Sequence, residues 1–165
     1  MPLLKYGRVV EDPWQFVADD AALPAEGHVL VTLKRWQAER EALIGRGWPV
    51  GVRLEPADLA EALANDLGRL DLIAVDFPKF NDGRGYSTAR LLRQRYRYKG
   101  ELRAVGKVLR DQLLFLHRCG FDAFEIARED AVETWLKAMS EFGVWYQRAA
   151  DDRLPAPLLR HRRAG

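Results

Sequence analysis

The chain has 165 residues, with 26 basic and 24 acidic side chains and a net charge of +2. Hydrophobic residues make up 48% and charged residues 30%, a globular composition that excludes a disordered or fibrous chain. The near-balance of charge speaks against a duplex-binding protein, and the single cysteine, Cys119, excludes an intramolecular disulfide or a Cys-based zinc site within one chain.

From the start of the chain, Leu3 to Val10 carries Gly7 in its middle and is expected to form a small hairpin. Residues 11–26 are polar, contain Pro13 and Pro24, and are expected to be an irregular arm pinned by Trp14 and Phe16. The N-terminal stretch lacks the long apolar core of a signal peptide, and no run approaches the ~20 apolar residues of a membrane helix. A cytoplasmic protein is expected on these grounds.

A repeating pattern then begins. The apolar β-former run 29–33 predicts a buried strand, followed by a helix over 35–44 that ends near Gly45 and Gly47. Residues 50–54 predict a second strand. Asp58 is placed to cap a helix bearing Leu59, Leu63 and Leu67 at four-residue spacing. Residues 72–77 predict a third strand, the glycine-rich loop 81–86 follows, and a helix is expected from Ser87 to Tyr96. A strand at 101–105, a helix at 109–119, a strand at 123–126 and a helix at 130–142 complete the series, with 144–147 as a candidate sixth strand.

Alternating strands and helices predict an α/β fold with a parallel sheet of five to six strands, either open or half-barrel-like. The unit count is too small for a closed barrel, which takes about 250 residues. The organisation expected is an N-terminal hairpin and arm over 1–26, an α/β domain over 27–148, and a disordered basic tail over 149–165 containing Pro155 and Pro157.

Ligands of parallel sheets gather at the carboxyl ends of the strands. There the sequence places Lys34, Arg35, Glu55, Lys79, Lys107, Arg110 and Arg128. This cationic surplus suits an anionic ligand or an acidic partner, or reflects only the usual composition of loops. The loop Asp82-Gly83-Arg84-Gly85-Tyr86-Ser87 has the sharpest local signal. Its glycines permit close approach of a ligand, Arg84 suits an oxyanion, and Ser87 could cap a helix whose first amides bind an anion. A plain strand-to-helix turn accounts for the same residues. The loop is neither a Walker loop nor a dinucleotide fingerprint.

Asp76 could serve as a general base, orient Arg84 or Lys79, or simply hydrogen-bond the loop. Arg90 lies in a stretch, from Tyr86 to Tyr98, that interleaves cations with aromatics. Such a mixture suits single-stranded nucleic acid, but a solvated helix face explains it more simply. His28, His117 and His161 are too dispersed for a metal site, and no metal is expected. Cys119, at a helix C-terminus, is not expected to be a reactive thiolate. The five tryptophans belong either to the core or to a partner surface.

The stretches Phe77-Pro78-Lys79-Phe80, Asp82 to Ser87, Ala89-Arg90-Leu91-Leu92-Arg93, Glu101 to Gly106, Val108 to Leu113 and Arg118 to Phe124 together resemble the bacterial domain of unknown function 934. The resemblance extends from Leu3-Leu4 and Glu11-Asp12-Pro13-Trp14 to about Tyr146. Members of that family are often named as oxidoreductases of sulfite reduction. Their genes commonly lie beside those for the haemoprotein of assimilatory sulfite reductase and for adenylyl-sulfate reductase. The resemblance therefore implies a role in sulfate assimilation, without implying catalytic residues.

The leading expectation is an accessory protein that binds the sulfite reductase haemoprotein or another sulfate-assimilation protein. The rival is a small enzyme binding an oxyanion or a nucleotide-linked sulfate at the rim. A flavin-dependent oxidoreductase ranks third. No cofactor motif is visible, so no cofactor is expected. The residues singled out are Asp76, Lys79, Asp82, Gly83, Arg84, Gly85, Ser87, Arg90, Lys107, Arg110 and Arg128.

Overall fold

The computed structural model of the protein describes residues 3–79, 81–126, 130–141, 145–146, 148–150, 154–156 and 158. Its strands are β1 (Leu3–Lys5), β2 (Arg8–Val10), β3 (Trp14–Phe16), β4 (His28–Thr32), β5 (Val50–Leu54), β6 (Leu72–Phe77), β7 (Glu101–Gly106) and β8 (Ala123–Glu125). Its helices are α1 (Leu33–Gly45), α2 (Arg84–Arg90), α3 (Arg110–Cys119) and α4 (Ala131–Ser140).

The eight strands form one open, mixed sheet in the order β2-β1-β8-β7-β6-β5-β4-β3. Strands β3 to β8 are parallel and lie in sequence order, while β1 runs antiparallel to both β8 and β2. Because the order never reverses, right-handed crossovers put every helix on the same face, giving the half-barrel form rather than a doubly wound sheet. That face holds the main core, where Trp36 of α1, Leu92 after α2, Leu116 of α3 and Trp135 of α4 pack on Val31, Val52, Val75, Ala104 and Phe124.

The expected five to six strands become eight. The hairpin β1–β2 extends one edge of the sheet, and β3 extends the other. Three-residue strands carry no period of their own, so only their partners reveal them.

The repeated strand–helix unit is also interrupted. Where a helix with Leu59, Leu63 and Leu67 was expected, there are two 3₁₀ turns, Ala60–Leu63 and Leu67–Arg69. Leu59 is 67% exposed while Leu63 is fully buried, so the leucines do not share a face. Asp58 closes a turn by accepting the Glu55 N–H at 2.8 Å instead of capping a helix. Asp66 is held by Trp36 Nε1 at 3.1 Å and by Arg40 Nε at 2.9 Å, and Gly68 disfavours helix beyond it.

Two other boundaries move. Thr32 caps α1, its Oγ1 accepting the Arg35 N–H at 3.0 Å, so the helix begins at Leu33. Trp145 and Tyr146 are not in a strand, and the rest of the candidate sixth strand lies outside the described residues. Most of the tail beyond residue 150 also lies outside them, but the Ala150 N–H donates to Arg118 O at 2.8 Å. No helix among the described residues is long and apolar enough to cross a membrane. Of the tryptophans, Trp36, Trp135 and Trp145 are buried, and Trp48 is 41% exposed.

Candidate functional site

The carboxyl edge of the sheet is built by the ends of β4 to β7. Asp76, near the end of β6, meets Arg53 Nη2 of β5 at 2.9 Å. It therefore orients Arg53 and not Arg84 or Lys79. The arginine lies over the Phe16 ring, 5.4 Å from its centroid, a cation–π arrangement. Gly106 has φ +90°, and a Cβ there would sit 2.7 Å from Asp76 Oδ1. Only glycine leaves that carboxylate its place. The Lys107 N–H donates to Phe77 O at 2.7 Å, which ties the start of the next loop to β6.

The loop before α2 is self-contained. Asp82 accepts the Arg84 N–H at 3.2 Å and the guanidinium from Nε at 2.9 Å and Nη2 at 2.6 Å. Arg84 holds the Asp82 carboxyl down to about 2. The helix begins at Arg84, with Gly83 as its N-cap and no side-chain capping bond. Ser87 thus lies inside α2, exposed, and is not its cap. Gly85 is buried, and a Cβ there would sit 2.5 Å from Phe77 Cζ. Its role is close approach of helix to sheet, not of a ligand to the backbone.

The other rim cations are also largely answered within the chain. Arg110 pairs with Glu141 at 2.8 Å and Lys34 with Asp19 at 3.4 Å. Arg35 is buried and donates to Ala18 O. Among the described rim residues, Lys79 and Lys107 are exposed with no ion pair. Arg128 lies outside the described residues.

Arg90 belongs elsewhere, to a cleft between α2 and α3. Tyr86 and Arg90, one turn apart on α2, face Phe115, Arg118 and Cys119 of α3, with Arg148 and Ala149 closing one end. The cleft encloses about 360 Å³. The Arg118 guanidinium lies 4.0 Å from the centroid of a Trp145 ring. Burial pushes the Tyr86 phenol and the Cys119 thiol up, so both are neutral around pH 7. Cys119 is not a thiolate nucleophile.

Two others of the 86–98 stretch, Arg93 and Tyr98, are structural. Arg93 donates to Gly120 O, Tyr98 O, Gly100 O and Asp122 at 2.8–2.9 Å. Tyr98 is buried and donates to Leu70 O at 3.1 Å. His117 packs edge-on against Trp135 at 5.2 Å, and no group of His, Cys, Asp and Glu among the described residues could hold a metal.

A charged network, formed by residues other than those singled out from the sequence, lies on the face of the sheet away from the helices. Arg103, 1% exposed, donates to Asp12 at 2.8 and 3.1 Å and to Glu101 at 2.8 Å, with Glu125 at 3.9 Å. Lys5 reaches Glu101 at 2.5 Å. Burial pushes the Glu125 carboxyl up, with Arg103 opposing. The signal was present in the sequence. Parallel strands buried on both faces run apolar, yet β5, β6, β7 and β8 contain Arg53, Asp76, Arg103 and Glu125. Register puts Arg53, Ala74, Arg103 and Ala123 in one row across the sheet.

Comparison with known proteins gives one family. The family model described as bacterial protein of unknown function (DUF934) matches residues 51–157, a span that runs from within β5 through β8 and includes the α2–α3 cleft. No curated protein matches the chain.

Proposed function

Since the chain belongs to the bacterial DUF934 family, we propose that it is an accessory protein of assimilatory sulfite reduction, acting by binding the reductase haemoprotein or another protein of sulfate assimilation. The sulfur setting comes from the resemblance described above. The observation that carries a binding role is the outward apolar surface of the helical layer. Leu109 and Phe115 at α3 are 45% and 51% exposed, and Val132 and Leu136 on α4 are 38% and 61% exposed. Large apolar side chains exposed on adjacent helices suit a protein-contact surface.

Co-purification of the full chain with the haemoprotein tests this reading. A complex at micromolar concentrations, and slowed sulfite reduction in a deletion strain, are expected. No complex together with normal sulfite reduction would overturn it.

The alternative is an oxyanion site at the carboxyl edge, supported by Lys79, Lys107 and the Arg53–Asp76 pair. Titration with sulfite, sulfate, phosphate and adenylyl sulfate separates the two. Saturable binding that is lost in Lys107→Ala would favour the oxyanion site. Arg84→Ala is not expected to change such binding, because Asp82 already engages that guanidinium.

A further inference from the structure

The cleft between α2 and α3 has a chemistry distinct from the rest of the surface. Three arginines, Arg90, Arg118 and Arg148, line it, and no carboxylate does so among the described residues. Several exposed cations elsewhere have acids beside them, as in Arg84–Asp82, Arg110–Glu141 and Lys137–Glu133. Arg118 is engaged within the chain, so the exposed charge of the cleft resides on Arg90 and Arg148. Tyr86 and Cys119 are neutral, so the charge on the described lining of the cleft is cationic.

Its apolar part is equally specific. Leu113, Leu114 and Leu116 of α3 are no more than 1% exposed, but Phe115 is 51% exposed. That ring stands in water at the lip of the cleft. Tyr86 is held edge-on against Phe77 with ring centroids 5.7 Å apart, so the wall opposite Phe115 is fixed from below. A volume of about 360 Å³ is far larger than an inorganic oxyanion needs, and such an ion would leave both rings unused. An acidic segment with one large apolar side chain uses every part. The side chain fills the space between the rings, and flanking carboxylates meet guanidinium groups in charge-assisted, bidentate bonds.

We propose that the α2–α3 cleft docks an acidic segment of a partner protein, with an aromatic or large aliphatic side chain seated against Tyr86, Phe115 and Cys119 and carboxylates on Arg90 and Arg148. The proposal rests on the accessory-protein reading above and names the surface through which it would act.

The test uses the full chain and a fluorescein-labelled acidic octapeptide with one central phenylalanine. The wild type is expected to bind it saturably, and the Arg90→Glu/Arg148→Glu variant to bind at least about tenfold more weakly. Replacing the peptide's phenylalanine with serine, or Phe115→Ala, should weaken binding as well. Arg97→Glu, exposed and outside the cleft, should change affinity by less than about twofold. Circular dichroism confirms that each variant is folded. No binding by the wild type, or equal losses in the Arg97 and double variants, would overturn the proposal.

A parallel titration with the reductase haemoprotein keeps the two readings apart. If the haemoprotein binds wild type and double variant alike, the cleft is not the docking site and the accessory reading stands. If the peptide binds in the cleft and the haemoprotein does not bind at all, the cleft stands and the choice of partner falls.

Discussion

Arg103 is the most deeply buried charged side chain among the described residues, and a guanidinium with 1% exposure must be answered on every side. Asp12, Glu101 and Glu125 supply the answer from three different segments. Removing the guanidinium takes the central cation from Glu101, which is 9% exposed, and from the less buried Asp12 and Glu125. Arg103→Met is therefore expected to lower unfolding free energy by about 3 kcal/mol or more, read from urea denaturation.

Asp66 makes a second prediction at this scale. Its hydrogen bonds from Arg40, and then from Trp36, hold its carboxyl below the usual carboxylate range, although partial burial pushes the other way. A carboxyl lowered in the folded state contributes stability above its unfolded value, about 4, and loses it as pH falls through the folded value. The stability advantage of wild type over Asp66→Asn should be full near neutral pH and shrink below about pH 4. Urea midpoints across that range measure it. An advantage constant with pH would show that the carboxylate charge is not what stabilises.

Among the elements, the helix from Arg84 shows how tertiary contact redraws a local pattern. After Arg90 it widens into a π turn, Leu91–Arg95, with the Tyr96 N–H reaching back to Leu91 O at 3.0 Å. The extra residue brings Arg93 to the carbonyls of Tyr98, Gly100 and Gly120 and to Asp122. One side chain thus fastens the end of α3 to the starts of β7 and β8. Gly120, the C-cap of α3 at φ +107°, stays a glycine because a Cβ would run into Arg93. Arg93→Ala should destabilise by about 3 kcal/mol, while Arg95→Ala, two residues on and exposed, should cost far less. Comparable losses in the two would remove the clamp.

The strands β5, β6 and β7 were legible because Val50–Leu54, Leu72–Phe77 and Glu101–Gly106 are compact β-former runs bounded by turn residues. The helix start at Arg84 was not, because it depends on Asp82 capturing the Arg84 amide and guanidinium together, and Ser87 offered an equally good local cap.

At the level of the whole molecule, residues 3–17 act at both ends of the sheet. β1 and β2 cover the edge of β8, β3 covers the edge of β4, and Asp12 between them reaches Arg103 in the middle. On the same helix-free face, Leu30, Leu72, Ala74 and Val105 form a small second core with Trp14 packed against it. Deleting residues 1–17 should expose two strand edges and this core, and cause the chain to aggregate. Size-exclusion chromatography of the truncated chain shows the outcome, and a folded, dispersed product would contradict it.

The amino-acid sequence by itself determined the α/β class, the positions of the central strands and the family, since β-former runs and short motifs are local properties. It also contains Arg53, Arg103 and Glu125, which like Asp76 break otherwise apolar strands. Only the tertiary structure decided that the sheet is wound in one direction, that the short N-terminal strands belong to it, and which cations are already engaged. Those outcomes depend on partners distant in sequence: Asp12 for Arg103, Asp76 for Arg53, Glu141 for Arg110. The same distant pairing moved the surface of interest from the glycine-rich loop, whose Arg84 is bound by its neighbour, to the cleft where Arg90 of α2 meets Phe115 of α3.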